Sequence, residues 1–344
     1  METAGALARR GHHVTVFTAG AAGARPERDQ NEHIIGTGTV RTVRCRRVHD
    51  DPLRHERWFG LQLVTRLARG RFDAVHSLMP RDALAAIRSR RVGGHRTVYE
   101  ELGNPYRRWW ATLADRRARE LVVHHIDVYG CMSRFSLSVL ESEWGRRGAL
   151  IPGGVRLAEF SPAPTRAPEP TVLFSGAIDE RRKGLGLLFE AAALVVADIP
   201  ELRIWLSGPG DPEPYLTTTP ALRRRVEHLP LGEARHQGER YGRAWVTALP
   251  SRGDSFGLAL LESLACGTPI VVLDDAAPPE LVTPSTGAVA RPDDPVALAR
   301  ALRRAIDLAA APATAGRCRD FAAGFDWDTA IAPRLEQLYS GAPR

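Results

Sequence analysis

The chain has 344 residues, of which 44% are hydrophobic and 25% charged, and these proportions are ordinary for globular domains. The length suggests about two domains, and no apolar run reaches the roughly 18 residues that would predict a membrane-spanning helix. The net charge of +7 favours anionic partners, but no helix-turn-helix, zinc or RNA-binding pattern accompanies it, so nucleic acid is not expected.

The four cysteines have no short spacing and no neighbouring histidines: Cys45, Cys131, Cys266 and Cys318. This usage is typical of reduced, buried thiols, so we expect a cytoplasmic protein. The first residues also lack the cationic start and apolar core of a signal peptide.

Short apolar strands alternate with helical patterns in two series. In the first, strands are predicted at residues 14–18, 74–78, 96–99 and 126–132, and helices at 58–67, 83–91 and 107–122. In the second, strands are predicted at 171–175, 202–207, 226–230, 245–249, 270–273 and 288–290, and helices at 186–197, 257–265 and 295–308. This alternation predicts α/β domains with doubly wound parallel sheets.

The two series are separated by residues 161–170, where four prolines in ten residues predict a stiff linker. We predict domains at residues 1–150 and 151–322, followed by a C-terminal helical segment at 323–344. Two such domains would hold a ligand in a cleft at the carboxyl ends of their strands. Residues 1–10 are predicted to be helical with no strand and glycine turn before them, so we expect a first strand to be missing.

Acidic residues surround the helix predicted at residues 257–265. Asp254 lies in the loop before that helix, where free backbone N–H groups attract anions, and Glu262 lies off the apolar face. That face is predicted to pack inward through Leu258, Leu261, Leu264 and Ala265. Taken alone, Asp254 would be interpreted as a helix cap and Glu262 as a surface carboxylate.

Three further patterns do not support another kind of active or binding site. Residues 253–257 fit the G-x-S-x-G nucleophile elbow around Ser255, but the last histidine is His236, so the required base does not follow. The glycines at 208 and 210 do not complete a dinucleotide fingerprint. Asp326 and Asp328 precede a helix and are interpreted as caps, and we predict no metal.

Several short motifs occur in a fixed order, at residues 151–155, 174–176, 183–184, 206–210, 254–262 and 265–269. Together they resemble the retaining glycosyltransferases of family 4. This resemblance implies the GT-B fold, with two Rossmann-like domains facing a central cleft. It also implies a nucleotide-sugar donor on the second domain, an acceptor on the first, and a C-terminal helix that returns to the first domain.

The resemblance gives roles to individual residues. Lys183, the only lysine among 47 basic residues, matches the lysine that holds the donor diphosphate. Asp254 matches a carboxylate that touches the donor sugar, and Glu262 one that accepts hydrogen bonds from the ribose. The remaining expected donor contacts are Gly176, Arg182, Gly208, Gly210, Leu229, Phe256, Gly257 and Leu258.

The sequence also departs from the family pattern. Ala177 stands where an arginine is usual, so Arg181 or Arg182 would have to replace that cation. Asp254 replaces a glutamate, and Leu102, beside Glu101, stands where a histidine is usual. These changes keep open the alternative of a degenerate, non-catalytic nucleotide-sugar binder.

The expected enzyme is therefore a hexosyltransferase of EC class 2.4, without cofactor or metal, that uses a UDP-sugar or GDP-sugar. The acceptor hydroxyl could belong to a lipid, a glycan or a small metabolite. Because the first domain is arginine-rich, we expect peripheral contact with an anionic membrane at its inner face.

Overall fold

A computed structural model describes residues 2–19, 31–45, 52–109, 113–229 and 234–341. The chain divides into two compact units. Unit 1 comprises Met1–Pro152 and Trp327–Arg344, and unit 2 comprises Gly153–Asp326. None of the helices within these described residues has the length and apolar content that a membrane crossing requires.

Unit 1 begins with a helix and continues as alternating strands and helices. In chain order these are α1 Glu2–Arg9, β1 His13–Ala19, β2 Asn31–Ile35, β3 Gly38–Cys45, α2 Pro52–Arg69, β4 Ala74–Ser77, α3 Pro80–Gly93, β5 Arg96–Glu101, α4 Leu113–His125, β6 Val128–Cys131, α5 Arg134–Trp144 and β7 Ala149–Leu150. Among the described residues the strands form two sheets, in the orders β1-β3-β2 and β4-β5-β6-β7.

The sheets of unit 1 are parallel except at one hairpin. Strands β4 to β7 are all parallel, and β1 is parallel to β3, whereas β2 and β3 are antiparallel. The prediction of parallel α/β sheets is therefore confirmed. The hairpin formed by β2 and β3 was not predicted. In β3, threonine and arginine interrupt the apolar residues, and β2 begins with three polar residues, so no continuous apolar run marks either strand.

Unit 2 contains a second alternating series of strands and helices. Its elements are β8 Thr171–Ser175, α6 Leu185–Val195, β9 Arg203–Ser207, α7 Glu213–Thr218, β10 Val226–Leu229, α8 Ala234–Arg243, β11 Val246–Leu249, α9 Leu258–Ala265, β12 Ile270–Leu273, β13 Gly287–Ala290, α10 Pro295–Ala310 and α11 Thr314–Ala323. Within the described part of the chain, the strands form one parallel sheet in the order β10-β9-β8-β11-β12-β13.

The central strands of unit 2 are buried on both faces. Every residue of β11 and β12 is buried, and so are the first four of β8, because helices cover a parallel sheet on both sides. Cys266 and Cys318 lie in this unit, and all four cysteines of the chain are free and buried, as predicted.

The proline-rich stretch at residues 161–170 lies inside unit 2, so its prediction as a linker between domains is wrong. Arg166 donates hydrogen bonds to the carbonyl oxygens of Ala244, at 2.6 Å, and Gly267, at 3.0 Å. Ala167 is buried and its N–H donates to the carbonyl of Arg243. The prolines stiffen a segment that is packed against the unit.

The chain ends with a π-helical turn, Trp327–Ile331, and helix α12, Ala332–Ser340. Leu335 and Leu338 of α12 share a core cluster with Val98 and Val128 of the unit 1 sheet. The predicted helix cap at Asp328 is wrong, because α12 has no side-chain cap and the Asp328 carboxylate instead accepts from Arg9 at 2.8 Å.

Candidate functional site

The predicted donor residues of unit 2 gather at the carboxyl ends of its strands. Gly176 follows β8, Gly208 and Gly210 follow β9, and Leu229 ends β10. The loop that contains Asp254 follows β11. Because these strands are parallel neighbours, all of these ends lie along one edge of the sheet, where ligands of open α/β sheets bind.

Close backbone contacts fix two of these loops against each other. The N–H of Arg252 donates to the carbonyl of Arg182 at 2.8 Å. Gly184 has a φ of +77°, and a Cβ placed there would lie 2.1 Å from the carbonyl oxygen of Pro250. A side chain cannot be accommodated at that position, so glycine is what lets the turn carrying Lys183 touch the loop carrying Asp254.

Gly208 permits a second close approach, between the ends of β8 and β9. A Cβ on Gly208 would lie 1.9 Å from the carbonyl oxygen of Gly176, and the N–H of Gly176 donates to the carbonyl of Ser207 at 3.0 Å. The aliphatic stem of Lys183 passes 3.7 Å from a Cβ placed on Gly176. Gly176 therefore lies directly beside the aliphatic part of the lysine side chain.

Lys183 and Asp254 form an ion pair at this edge. Lys183 ends a single 3-10 turn, Arg181–Lys183, and its Nζ lies 3.0 Å from both carboxylate oxygens of Asp254. The Arg182 guanidinium contacts the same carboxylate. The side chains of Lys183 and Asp254 are 17% and 11% exposed, so the pair is largely shielded from water but open on one side.

The pKa of Asp254 lies below its ordinary value. Burial acts to raise the pKa, but the hydroxyl of Ser251 and the cations Lys183 and Arg182 outweigh it by stabilising the charged form. Asp254 is therefore ionised at neutral pH. Because Arg182 also contacts the carboxylate of Glu180, the site presents two cations and two carboxylates close to one another.

Glu262 lies on α9, away from that ion pair. Its Oε2 accepts a hydrogen bond from the hydroxyl of Tyr241 at 3.1 Å. Burial raises the pKa of Glu262 to about 7, and the Tyr241 hydrogen bond only partly offsets this. Glu262 is thus a half-buried titratable group rather than a solvated surface carboxylate.

A relay of hydrogen bonds leads to Glu262 from the neighbouring strands. It runs from Arg240 to Ser207 at 2.8 Å, from Ser207 to Gln237 at 2.7 Å, from Gln237 to Ser175 at 3.0 Å and from Ser175 to Tyr241 at 2.9 Å. None of the motifs in the sequence predicted this network. The available signal was a serine ending each of two buried strands, with Gln237 and Tyr241 four residues apart on one helix face.

The remaining predicted contacts surround these groups. Phe256 is buried against Phe325, with ring centroids 5.9 Å apart, and Gly257 precedes α9 with a φ of +107°. Leu258 is 46% exposed, so its predicted place on the apolar face is wrong, and Leu260 is buried there instead. Leu258 is the first residue of α9, and its Cδ2 would lie 2.6 Å from a Cβ placed on Gly153.

Two further contacts involve the glycines in the loop after β9, at the carboxyl edge of the unit 2 sheet. A Cβ on Gly210 would lie 2.7 Å from the carboxylate of Asp179, and the His228 ring contacts the carbonyl of Gly208 at 2.9 Å. The family resemblance also implies that residues 228–231 help to line a nucleobase pocket, and of these residues 230 and 231 lie outside the described residues.

In unit 1, Leu102 is 48% exposed at the end of β5. Its neighbour Glu101 is buried and ion-paired with Arg119, and it accepts hydrogen bonds from the hydroxyls of Tyr99, at 3.2 Å, and Tyr129, at 3.1 Å. The Glu101 carboxylate is fully engaged in the interior. These partners hold it away from the role that the family resemblance would give to a histidine at position 102.

Across the described residues, no group of three or more histidine, cysteine, aspartate or glutamate side chains is arranged to hold a metal ion. The charged groups that line the carboxyl edge of unit 2 are instead suited to a ligand with anionic and hydroxyl groups. Guanidinium and ammonium groups bind phosphates, and carboxylates accept hydrogen bonds from hydroxyls.

Two family profiles match consecutive parts of the chain. The one described as Glycosyltransferase Family 4 matches residues 1–159, and the one described as Glycosyl transferases group 1 matches residues 169–307. The phosphatidyl-myo-inositol mannosyltransferase of Mycobacterium leprae is 34% identical over 185 residues, which are 50% of this chain and 49% of that protein. The chain thus spans about half the length of this relative.

Two further proteins match more of the chain. A GDP-mannose-dependent monoacylated alpha-(1-6)-phosphatidylinositol monomannoside mannosyltransferase of Corynebacterium glutamicum is 25% identical over 287 residues, covering 76% of this chain and 74% of that protein. The structure of sucrose-phosphate synthase from Thermosynechococcus elongatus matches with a TM-score of 0.78 at 23% identity, covering 99% of this chain and 91% of that one.

The two Rossmann-like units and this structural likeness define a GT-B fold, which confirms the predicted fold class. Taken with the two profile matches, they show that the chain belongs to glycosyltransferase family 4.

Proposed function

We propose that the protein is a retaining glycosyltransferase that moves a sugar from a nucleoside-diphosphate sugar to an acceptor hydroxyl. The observation that carries the proposal is the Lys183 ammonium 3.0 Å from both oxygens of Asp254, at the carboxyl edge of the unit 2 sheet. A cation for the diphosphate and a carboxylate for sugar hydroxyls are thus held side by side.

The proposed diphosphate site uses two cations. Lys183 is one, and Arg182, which reaches the same carboxylate, supplies the second charge in place of the arginine replaced by Ala177. During transfer the bond from the sugar C1 to the phosphate oxygen breaks, and negative charge grows on the leaving diphosphate. Both cations stabilise that charge, which lowers the barrier without a protein nucleophile.

Retention follows if the acceptor hydroxyl attacks C1 on the face that the diphosphate leaves. The new bond joins C1 to the acceptor oxygen, and the acceptor proton passes to the departing phosphate. Asp254 would accept hydrogen bonds from the donor sugar, and Glu262 from the ribose. These roles need oriented acceptors, which the ion pair and the Tyr241 hydrogen bond supply.

The names of the relatives guide the choice of substrates. We propose GDP-mannose as the donor, because the relative that matches 76% of this chain is described as GDP-mannose-dependent. We propose an inositol-containing phospholipid as the acceptor, since both mannosyltransferase relatives are named for phosphatidylinositol or its monomannoside.

Calorimetric titration with GDP and UDP tests the donor, and product analysis tests the transfer. We expect GDP to bind more tightly than UDP, and incubation with GDP-mannose and phosphatidylinositol vesicles to yield an α-linked mannoside. A β-linked product would contradict retention. Failure of both nucleotides to bind the folded protein would contradict the donor site.

Donor affinity should depend on pH through Glu262. Its pKa of about 7 means that the carboxylate is mostly protonated at pH 6 and ionised at pH 8. If the ribose hydroxyls require the ionised form, GDP should bind about tenfold more weakly at pH 6 than at pH 8. Glu262→Gln should remove this dependence and leave only the titration of the nucleotide's own phosphates.

Tyr241→Phe tests whether Glu262 causes the pH dependence of donor affinity, because the variant should shift that dependence in a known direction. The Tyr241 hydroxyl lowers the pKa of Glu262, so its removal should move the midpoint of the binding curve to higher pH. A midpoint that stays fixed in Tyr241→Phe, or a wild-type profile unchanged by Glu262→Gln, would mean that Glu262 does not contact the ribose.

A nucleotide-sugar binder without turnover is the second candidate. The observation that favours it is in unit 1, where Leu102 replaces a histidine and the neighbouring Glu101 is held in the interior by Arg119. Saturable binding of GDP-mannose without transfer or donor hydrolysis would support this function, and mannoside formation would eliminate it.

A further inference from the structure

Unit 2 carries a concave surface of about 420 Å³ lined mainly by arginines. Its lining residues are Arg203, Pro220, Ala221, Arg223, Arg224 and Arg225. This volume lies within the range of roughly 300–1,000 Å³ that is common for small-ligand sites. The surface therefore has the size of a binding site and a strongly positive lining.

This concave surface lies at the opposite end of the sheet from the proposed donor site. Arg203 is the first residue of β9, and Arg225 immediately precedes β10. The donor residues follow the other ends of the same strands, beyond Ser207 and Leu229. One ligand cannot bridge the full length of both strands, so the arginine surface is not an extension of the donor site.

Contacts with the backbone hold several of these side chains in place. The Arg203 guanidinium donates to the carbonyl of Arg224 at 3.0 Å, and that of Arg225 donates to the carbonyl of Pro200. A hydrogen bond to a neutral carbonyl fixes the orientation of a guanidinium group without neutralising its positive charge. These arginines are therefore partly ordered before any ligand binds, which lowers the entropic cost of binding.

The positive charge of the surface is mostly uncompensated. Among the residues that the structure describes, the carboxylate within ion-pair distance of the four arginines is that of Glu213, which accepts from Arg223 at 3.0 Å. The Arg224 side chain is exposed. Three guanidinium groups thus keep their charge available around one concavity.

We propose that this surface binds a phosphorylated anion, through guanidinium groups that contact its phosphoryl oxygens. The planar fork of arginine matches two phosphoryl oxygens at once. Several forks around one hollow favour a ligand with two or more phosphoryl groups, either free in solution or as the headgroup of a phosphorylated lipid. This site is additional to the proposed donor site and does not rest on it.

Calorimetry with inorganic tripolyphosphate and flotation with vesicles containing phosphatidylinositol 4-phosphate would test the two sources. Arg224→Gln should weaken binding of the responsive probe about tenfold, because it removes a charged hydrogen-bond donor. Arg224→Gln combined with Arg225→Gln should abolish it, because it removes two of the three uncompensated guanidinium groups. Lys183→Ala should retain this binding event, which separates it from any polyphosphate binding at the donor site.

The matched control is Arg300→Gln combined with Arg304→Gln, which removes the same charge from exposed positions of α10. This control should bind the probe as the wild type does. If the control lost as much probe binding as the arginine-surface variants, the effect would come from net charge alone, and the proposal would be overturned. It would also be overturned if neither probe binds, or if Lys183→Ala removes all binding while Arg224→Gln removes none.

Discussion

Lys183→Ala is expected to weaken GDP binding by roughly ten- to a hundredfold, because it removes a charged donor from a largely shielded site. Turnover with GDP-mannose should fall further, by about 10²–10³, since the ammonium would act most strongly on the charge that develops in the transition state. Calorimetry measures the first effect and initial rates of mannoside formation measure the second.

Arg181→Ala is the matched control for this prediction. Arg181 belongs to the same 3-10 turn and carries the same charge, but its side chain is exposed, so its loss should change GDP affinity less than threefold, in line with the small worth of exposed charges. Arg182→Ala should fall between the two. Equal losses in Arg181→Ala and Lys183→Ala would show that the turn contributes only general positive potential.

Gly184→Ala should destabilise unit 2 by about 2–4 kcal/mol and abolish nucleotide binding. The added Cβ would lie 2.1 Å from the backbone oxygen of Pro250, and the φ of +77° is unfavourable for alanine. The loops that carry Lys183 and Asp254 would have to separate. Denaturant unfolding followed by tryptophan fluorescence measures the loss.

Gly186→Ala, two residues further on, should have the opposite effect on the stability of unit 2. A Cβ there would lie 3.5 Å from the ring of Tyr215, an ordinary contact, and the position is in the first turn of α6. Alanine in a helix is favoured over glycine by about 0.5–1 kcal/mol, so stability should rise slightly. If the two variants unfolded alike, the close approach at Pro250 would not be what requires glycine at 184.

The sequence predicted those parts of the fold that local pattern determines. Strand β8 was placed at residues 171–175, as observed, because its apolar run is continuous and both ends carry clear breaks. Helix α8 was missed because its sequence is mostly polar, and it is held by contacts of Gln237, Arg240 and Tyr241 with other elements. Such tertiary contacts leave no periodic pattern.

The same distinction applies to the candidate site. Lys183, Asp254 and Glu262 were selected because they occur in ordered motifs, and the structure joins the first two in one ion pair. The members of the relay from Ser207 to Glu262 come from separate strands and helices, so the two strand-ending serines indicated its position but not which side chains they bond. Burial of Glu101 against Arg119 was equally hidden, since the two residues are 18 positions apart in the sequence.

The carboxylate of Asp254 already occupies both cations of the proposed diphosphate site. A nucleotide that binds there must take Lys183 and Arg182 from an internal competitor, so its binding is an exchange of one anion for another. The affinity measured in a titration is then a difference between two ion pairings, and it understates the strength of the contacts that the bound diphosphate makes. The same exchange would release Asp254 to the hydroxyl groups of the arriving sugar, which links recognition of the phosphate to recognition of the sugar.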